Sequence, residues 1–336
     1  MSPVERIELV PGLEIARVLT GLWQIADMER DGDTVDPDEG ADAMSGYVEA
    51  GLTTFDMADH YGSSELIAGR YAQRHPGAAE LLTKWVPDPG PQTADDVRAA
   101  VDRARTRMRV DALDLLQFHA WSYVHPGWLD AMYHLEEMRA EGAIRAVGVT
   151  NSDTAHLRML LDSGLSIASN QVCYSLLDQR ASGPMAELCQ ERDVKILAFG
   201  TLAGGFLTER WLGVAEPSDG DLATWSQMKY KRFIDAAGGW SPFQRVLEAV
   251  AKVARRLDVS MANVATRYIL DSPGVGAVIV GARLGRSDHI DDTLGLFDVR
   301  LDEASRAEIA DAVAGLEPIP GDCGDEYRRP PYLTAA

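Results

Sequence analysis

Positive charge is scarce in this sequence. Lysine and arginine together number 32 against 52 aspartates and glutamates in 336 residues, a formal net charge of −20. That balance excludes nucleic acid and anionic membranes as partners, because both require a positive surface that displaces counterions. It does not exclude an anionic ligand, which a few local cations or helix N-termini can hold against the overall field. Cysteine is also rare: Cys173, Cys189 and Cys323 are far apart and form no Cys-x-x-Cys pair. Neither a disulfide framework nor a zinc site is expected, and a reducing compartment is. No apolar run reaches the roughly 18 residues of a membrane-spanning helix. Met1-Ser2-Pro3-Val4-Glu5-Arg6 lacks the basic, apolar and small-residue succession of a signal peptide. The expected location is cytoplasmic. Finally, no Gly-x-Gly-x-x-Gly follows any apolar run, so the usual phosphate loop of an open dinucleotide-binding sheet is missing.

What is present is a regular alternation. Hydrophobic residues make up 46% and charged residues 25%, ordinary for a globular chain with a large core. Ile7 to Ala16 alternates apolar and polar positions about Pro11-Gly12 and predicts a short β-hairpin. Eight apolar strand candidates follow: Val18–Trp23, Leu52–Asp56, Leu81–Trp85, Leu113–His119, Ala143–Thr150, Ile167–Gln171, Val194–Phe199 and Ala277–Val280. Helical patterns separate them, beginning with Pro37 to Ala50, which opens on Pro and two acids and ends before Gly51. The others are Glu65–Gln73, Ala94–Met108, Trp128–Glu141, Ala155–Asp162, Met185–Arg192, Phe243–Leu257 with Met261–Leu270, and Asp288–Leu294.

Strand and helix alternating eight times predict right-handed crossovers and an α/β fold closed as a (β/α)8 TIM barrel. The whole chain, 1–336, reads as one barrel domain with its body over about 17–315 and a tail over 316–336. The stretch from Thr208 to Pro242 is predicted to be a long irregular loop with a basic cluster of Lys229, Lys231 and Arg232. Loops of that length in a compact domain serve as lids or binding loops. The tail, rich in Pro and Gly and carrying Tyr327, Arg328, Arg329 and Tyr332, either frays or folds back over the barrel mouth.

Polar residues at the C-terminal ends of barrel strands face the functional mouth. Here they include Asp56 with Tyr61, then Lys84, then His119, at three successive strands. Lys84 and His119 each end an apolar run, where an ionisable group is costly unless paired or used. A phenol has an ordinary pKa of about 10, so at neutral pH it needs help to exchange a proton. A neighbouring Lys⁺ is expected to lower that pKa, and a carboxylate keeps the Lys charged. A nearby His can orient a substrate oxygen. Together these groups can protonate a carbonyl oxygen as hydride reaches its carbon, or run the reverse.

The stretch Phe55-Asp56-Met57-Ala58-Asp59-His60-Tyr61-Gly62, followed by Lys84-Trp85 and His119, resembles the active-site tetrad of the aldo-keto reductase family in order and in Asp-to-Tyr spacing. The resemblance implies Tyr61 as general acid/base, Lys84 and Asp56 as the residues that tune it, and His119 as the group that orients the carbonyl. Val147-Gly148-Val149-Thr150-Asn151, Asn170-Gln171 and Ile279-Val280-Gly281-Ala282-Arg283 look like further family segments. They imply Thr150, Asn151 and Gln171 around a nicotinamide carboxamide and Phe199 stacked on its ring. They also imply cofactor contacts from Gly21, Leu22, Trp23, Gly200, Leu202, Gly204, Gly281, Ala282, Arg283, His289, Asp292 and Thr293. NADPH is the implied cofactor, with NADH the alternative, and no metal is implied. The pyrophosphate would lie against backbone N–H groups of the loop through Gly285-Arg286-Ser287-Asp288, with Arg283 or Arg286 as counter-charge.

The chain departs from the family at Met57, Leu22, His289 and Thr293, and Gly62 to Glu65 is shorter than the family's turn. No tetrad residue is lost. Trp23, Trp85 and Trp121 are expected to wall the substrate pocket, with Trp225 or Trp240 added from the long loop. The partner is a small carbonyl or alcohol, with homo-oligomerisation open. The rival readings are a barrel aldolase using Lys84 as a Schiff-base nucleophile and a regulatory subunit that binds cofactor with little turnover.

Overall fold

Short runs of branched and aromatic residues, each ended by turn residues, pair with their neighbours in sequence order. The computed structural model describes residues 2–25, 34–285 and 289–328. Its first two strands, β1 (Arg6–Val10) and β2 (Leu13–Ala16), form the antiparallel hairpin, with Gly12 in the left-handed region at φ 80°. Eight parallel strands then close a barrel: β3 (Val18–Gly21), β4 (Thr54–Asp56), β5 (Glu80–Trp85), β6 (Leu113–Phe118), β7 (Ile144–Thr150), β8 (Ser169–Cys173), β9 (Lys195–Phe199) and β10 (Val275–Gly281), which returns to β3. The predicted eight-stranded barrel and its hairpin are both present.

Side chains alternate in and out along every strand. The inward set nearest the N-terminal mouth is apolar: Leu19, Leu82, Leu115, Ala146, Leu197 and Ala277. Leu9, Leu13 and Ile15 of the hairpin pack onto this set and seal that end. One layer nearer the C-terminal mouth the inward positions become Asp56 of β4, Lys84 of β5, Gln117 of β6 and Gln171 of β8, all buried. Gly148 makes room in this layer, since a Cβ there would lie 2.5 Å from Ser169 Oγ and 3.3 Å from the Gln117 side chain.

The surrounding helices are α1 (Pro37–Glu49), α2 (Ser64–Arg74), α3 (Ala94–Met108), α4 (Gly127–Ala140), α5 (Thr154–Asp162), α6 (Pro184–Glu191), α7 (Trp225–Ala236), α8 (Trp240–Leu257), α9 (Met261–Leu270), α10 (Ile290–Gly295), α11 (Glu303–Val313) and α12 (Asp325–Arg328). Local signals set their starts. Asp36 accepts from the Asp38 and Glu39 N–H groups before α1, and Thr93 and Asp96 form a reciprocal capping box before α3.

Two expectations need correction. The 208–242 stretch is not irregular throughout, because it carries α7. Thr224 caps that helix by accepting from Gln227 N–H, and Tyr230, Phe233 and Ile234 form its buried face. Polar Lys229, Lys231 and Arg232 interrupt this apolar spacing in the sequence and mask the period. The helix α11 has no counterpart in the predicted set; Asp302 caps it, and Ile309 anchors it in the core.

The described part of the tail folds back over the mouth. Arg180, after β8, lies between Asp178 at 2.7 Å and Glu326 of α12 at 2.8 Å. All three side chains are nearly fully buried. Arg180 also donates to the Asp322 carbonyl, and Arg328 donates to the carbonyls of Ala120, Asn151 and Cys323. Arg329 and Tyr332 lie outside the described residues.

Two outcomes are expected. Ile15→Ala removes a fully buried side chain from the barrel floor and should cost about 2–5 kcal/mol in urea denaturation. Arg180→Met strands two buried carboxylates and should cost about 3–5 kcal/mol, with limited proteolysis then releasing the C-terminal segment. A variant as protease-resistant as the parent would show that the ion triad does not hold the tail.

Candidate active site

The site is built outward from Asp56, the last residue of β4. Its register opposite Leu82 of β5 and Gly21 of β3 aims the carboxylate into the barrel. Lys84 Nζ donates to Asp56 Oδ2 at 2.7 Å and to the Met57 carbonyl at 2.8 Å. Gln171 Nε2 at 2.7 Å and Gln117 Nε2 at 3.1 Å donate to the other oxygen. Lys84 is 1% exposed and Asp56 3%. A buried charge pair persists only when its remaining hydrogen-bonding capacity is also satisfied, as it is here. Burial lowers the Lys84 pKa, opposed by the Asp56 carboxylate.

The ladder continues past the strand ends and holds the mouth residues in place. Asp59 N–H donates to the Lys84 carbonyl, His119 N–H to Trp85, Asn151 N–H to Gln171, and Ala282 N–H to Gly21. Tyr61 follows β4 on a short loop that Arg107 of α3 pins by donating to the carbonyls of Asp59 and Gly62. Arg107 also pairs with the buried Glu65 at 3.2 Å. The Tyr61 ring packs edge-on against Trp23 at 4.9 Å and His60 at 4.8 Å. Lys84 Nζ lies 4.9 Å from its centroid. The Tyr61 hydroxyl makes no hydrogen bond among the described residues.

The net effect on Tyr61 opposes the expected one. Burial first, then the Asp56 carboxylate, Tyr327 and Asp59, push its pKa well above the ordinary phenol value. Burial is the main reason, and the 2.7 Å contact between Lys84 and Asp56 leaves Lys84 little to set against it. A cation already neutralised by a carboxylate has little field left for the phenolate. Tyr61 therefore keeps its proton at neutral pH.

His119 is held neutral. Burial, followed by the positive charge available on His60, Lys84, Arg328 and Lys229, puts its pKa well below the ordinary imidazole value. Trp121 Nε1–H donates to His119 Nδ1 at 3.4 Å, which leaves the ring proton on Nε2. The Asn151 amide lies 3.3 Å from Nε2, and its Oδ1 is otherwise buried without a partner.

The residues expected around a nicotinamide divide into two groups. Thr150 Oγ1 and Asn151 Oδ1, together with Thr201 Oγ1, which was not among the expected residues, are buried polar atoms with no partner among the described residues, and such atoms are costly unless a ligand satisfies them. Asn151 also adopts a left-handed conformation, φ 54°, at the end of β7. Gln171 donates through Nε2 to Asp56 and Gln117 inside the barrel, which leaves its Oε1 as the atom open to a ligand. Leu22 is fully buried, so its side chain offers no surface to a ligand. Phe199 and Leu202 are half-buried after β9, on either side of Gly200. Gly200, Ala203, Gly204 and Gly205 all have positive φ, an arrangement that makes backbone concavities able to receive anions.

Trp23 is half-buried beside Tyr61, whereas Gly21 packs against Ile279 and Ala282 is buried. After β10, Gly281 and Arg283 are exposed, and Arg283 pairs with no described residue. His289, Asp292 and Thr293 lie at the start of α10. Asp292 is already engaged by Asn263 Nδ2, through its carbonyl at 2.8 Å and its carboxylate at 3.3 Å. Arg286, Ser287 and Asp288 lie outside the described residues.

The tryptophans divide too. Trp23 and Trp121 line the mouth, the latter stacked on Tyr327 at 6.2 Å. Trp85 does not: the residue after inward-facing Lys84 points outward, and Trp85 packs edge-on against Phe118 in the core. Trp240 is likewise core, against Phe206, Trp211 and Phe243, while Trp225 is exposed at the start of α7. Two further residues were not among those expected at the site. Tyr327 lies 5.7 Å from the His119 ring, and Lys229 donates to its hydroxyl at 2.9 Å. Both belong to segments set aside as loop and tail, and only their composition hinted at a role.

Comparison with known proteins agrees with this fold. A glycerol dehydrogenase from Gluconobacter oxydans has a similar fold at TM-score 0.75 and 22% identity, covering 94% of this chain and 97% of that one. An aldo-keto reductase from Klebsiella pneumoniae solved in complex with NADPH matches at TM-score 0.68 and 19% identity, covering 92% and 95%. In sequence, the uncharacterized oxidoreductase YqkF of Bacillus subtilis (strain 168) is 27% identical over 248 residues, 70% of this chain and 75% of that protein. The family model described as Aldo/keto reductase family matches residues 17–314, most of the chain, and the protein belongs to that family.

Proposed function

We propose that the protein reduces a small aldehyde or ketone to the alcohol with NADPH, Tyr61 giving the proton to the carbonyl oxygen. The observation that carries this reading is the phenol hydroxyl of Tyr61. It makes no hydrogen bond among the described residues, is held protonated, and is flanked by neutral His119 and the Asp56–Lys84 pair. The dinucleotide supplies the hydride when bound. Thr150, Asn151 and Thr201 would satisfy its nicotinamide end, and Arg283 and the Gly200–Gly205 backbone its phosphates. The unpartnered oxygens, the exposed cation and the loop of positive φ fit such a group. NADPH is preferred on family grounds and because one neighbouring structure holds it.

The chain's own residues then divide the work. Tyr61 O–H donates to the carbonyl oxygen, and as negative charge develops there the proton transfers to it. His119 Nε2–H can donate to the same oxygen and align it. Lys84 and Asp56 are positioning residues that fix the start of the Tyr61 loop, through the Lys84 contacts to the Met57 carbonyl and the Asp59 N–H. The protonated phenol is the form that reduction needs. A Schiff-base role for Lys84 fits poorly, since its amine is buried and committed to two acceptors.

Tyr61→Phe should lower kcat for carbonyl reduction by about 100-fold or more, while NADPH still quenches tryptophan fluorescence with a similar Kd. Near-normal turnover in that variant would sink the acid assignment. The pH profile gives a second check. Tyr61 is raised and His119 lowered, so neither changes charge near neutrality, and kcat for reduction should be flat between about pH 6 and 9. A limb near the ordinary imidazole pKa would contradict a neutral His119.

A further inference from the structure

Lys229 differs from its neighbours in the basic cluster of α7. Lys231, two residues on, is neutralised by Glu216 at 2.8 Å and Asp235 at 2.6 Å. Lys229 is half-buried and has no carboxylate within ion-pair distance among the described residues. Its ammonium carries three donors and uses one, to Tyr327 Oη at 2.9 Å. The rest of its surroundings are ring faces: Tyr327 at 5.0 Å, Phe199 at 5.1 Å, Tyr230 at 5.5 Å and Phe233 at 5.8 Å. Aromatic faces steady a cation without neutralising it. Tyr327 Oη accepts from Lys229, so its own proton is free to donate.

The pair stands over the reacting groups. One ring, that of Tyr327, separates Lys229 from His119, and Tyr327 stacks on Trp121 across the mouth. From these contacts we infer that Lys229 and Tyr327 form an anchor for a carboxylate carried by the carbonyl substrate, about one aromatic ring's width from the carbonyl. This assignment rests on the reductase reading above and narrows it to a substrate class. An ammonium and a phenol O–H together offer one positive charge and two directed donors, which match a single planar carboxylate. The Lys229 charge reaches the catalytic histidine, being among those that lower its pKa. The anchor also resolves a conflict in the overall field. A chain of net charge −20 repels anions at long range, so an anionic substrate needs a local cation left unpaired.

The test compares two aldehydes of the same shape, 4-carboxybenzaldehyde and its neutral isostere 4-carbamoylbenzaldehyde, with NADPH. The native enzyme should favour the carboxylate by about tenfold or more in kcat/KM, the scale of one charge-assisted contact. Lys229→Met should bring the ratio near one through KM, and Lys229→Arg should restore most of it. An equal ratio in the native enzyme, or a ratio that survives Lys229→Met, overturns the proposal. So does a Lys229→Met variant whose only defect is weaker NADPH binding, which would give the lysine to the cofactor. Binding of benzoate against benzamide to the NADP⁺-loaded enzyme, read by tryptophan fluorescence, separates the two readings. If neither aldehyde is reduced but benzoate still binds about tenfold tighter and only when Lys229 is present, the anchor stands and the reductase reading falls.

Discussion

The rest of the structure depends on the ion pair between Asp56 and Lys84 on the barrel axis. Both side chains are almost wholly inaccessible, and their carboxylate and ammonium meet at 2.7 Å. Desolvating two charges usually costs more than their attraction returns, unless hydrogen bonds take up what remains. Gln117, Gln171 and the Met57 carbonyl do so. The network draws on β4, β5, β6 and β8, so it specifies the relative register of those strands at the level where apolar filling gives way to the mouth. A one-residue slip in any of them would replace a polar group with an outward-facing neighbour.

The same pair shapes the electrostatics above it. With Lys84 neutralised, the field at Tyr61 is set by burial and by carboxylates, so the phenol remains an acid. His119, buried beside several cations, remains a neutral donor. The two ends of the barrel thus have different roles. The hairpin closes the floor with leucine and isoleucine and has no part in the chemistry. The mouth is covered from outside the barrel by α7 and α12, the latter held by Arg180. These two helices contribute Lys229 and Tyr327, the groups that distinguish this mouth from the bare arrangement of Asp56, Tyr61, Lys84 and His119.

Much of the fold was legible because each strand is short, apolar and bounded by turn residues, and because the crossovers leave few topologies open. The tetrad was legible for a simpler reason: ionisable groups at the ends of apolar runs are costly and therefore informative. Trp85 was misplaced although the information was at hand, since it follows an inward Lys84 and must point outward. Leu22 and Gln171 were expected at the cofactor from the resemblance; the structure places the Leu22 side chain in the core and engages the Gln171 amide nitrogen with Asp56, leaving its Oε1 uncommitted among the described residues. The helix α7 was missed because charged residues are interspersed along its buried face. Its cap at Thr224 and the Tyr230, Phe233, Ile234 spacing were there to be read.

The sequence by itself determined the alternation of strands and helices, the closure of the barrel and the order of the four tetrad residues. These follow from local periodicity and from the cost of burying charge, both of which are properties of short segments. Only the tertiary structure decided how those residues behave. Whether Lys84 lowers or fails to lower the Tyr61 pKa depends on a contact between residues 28 apart in sequence. Lys229 and Tyr327 meet from segments 98 residues apart. Charge balance at a site is a sum over neighbours in space, and no periodicity in the chain encodes that sum.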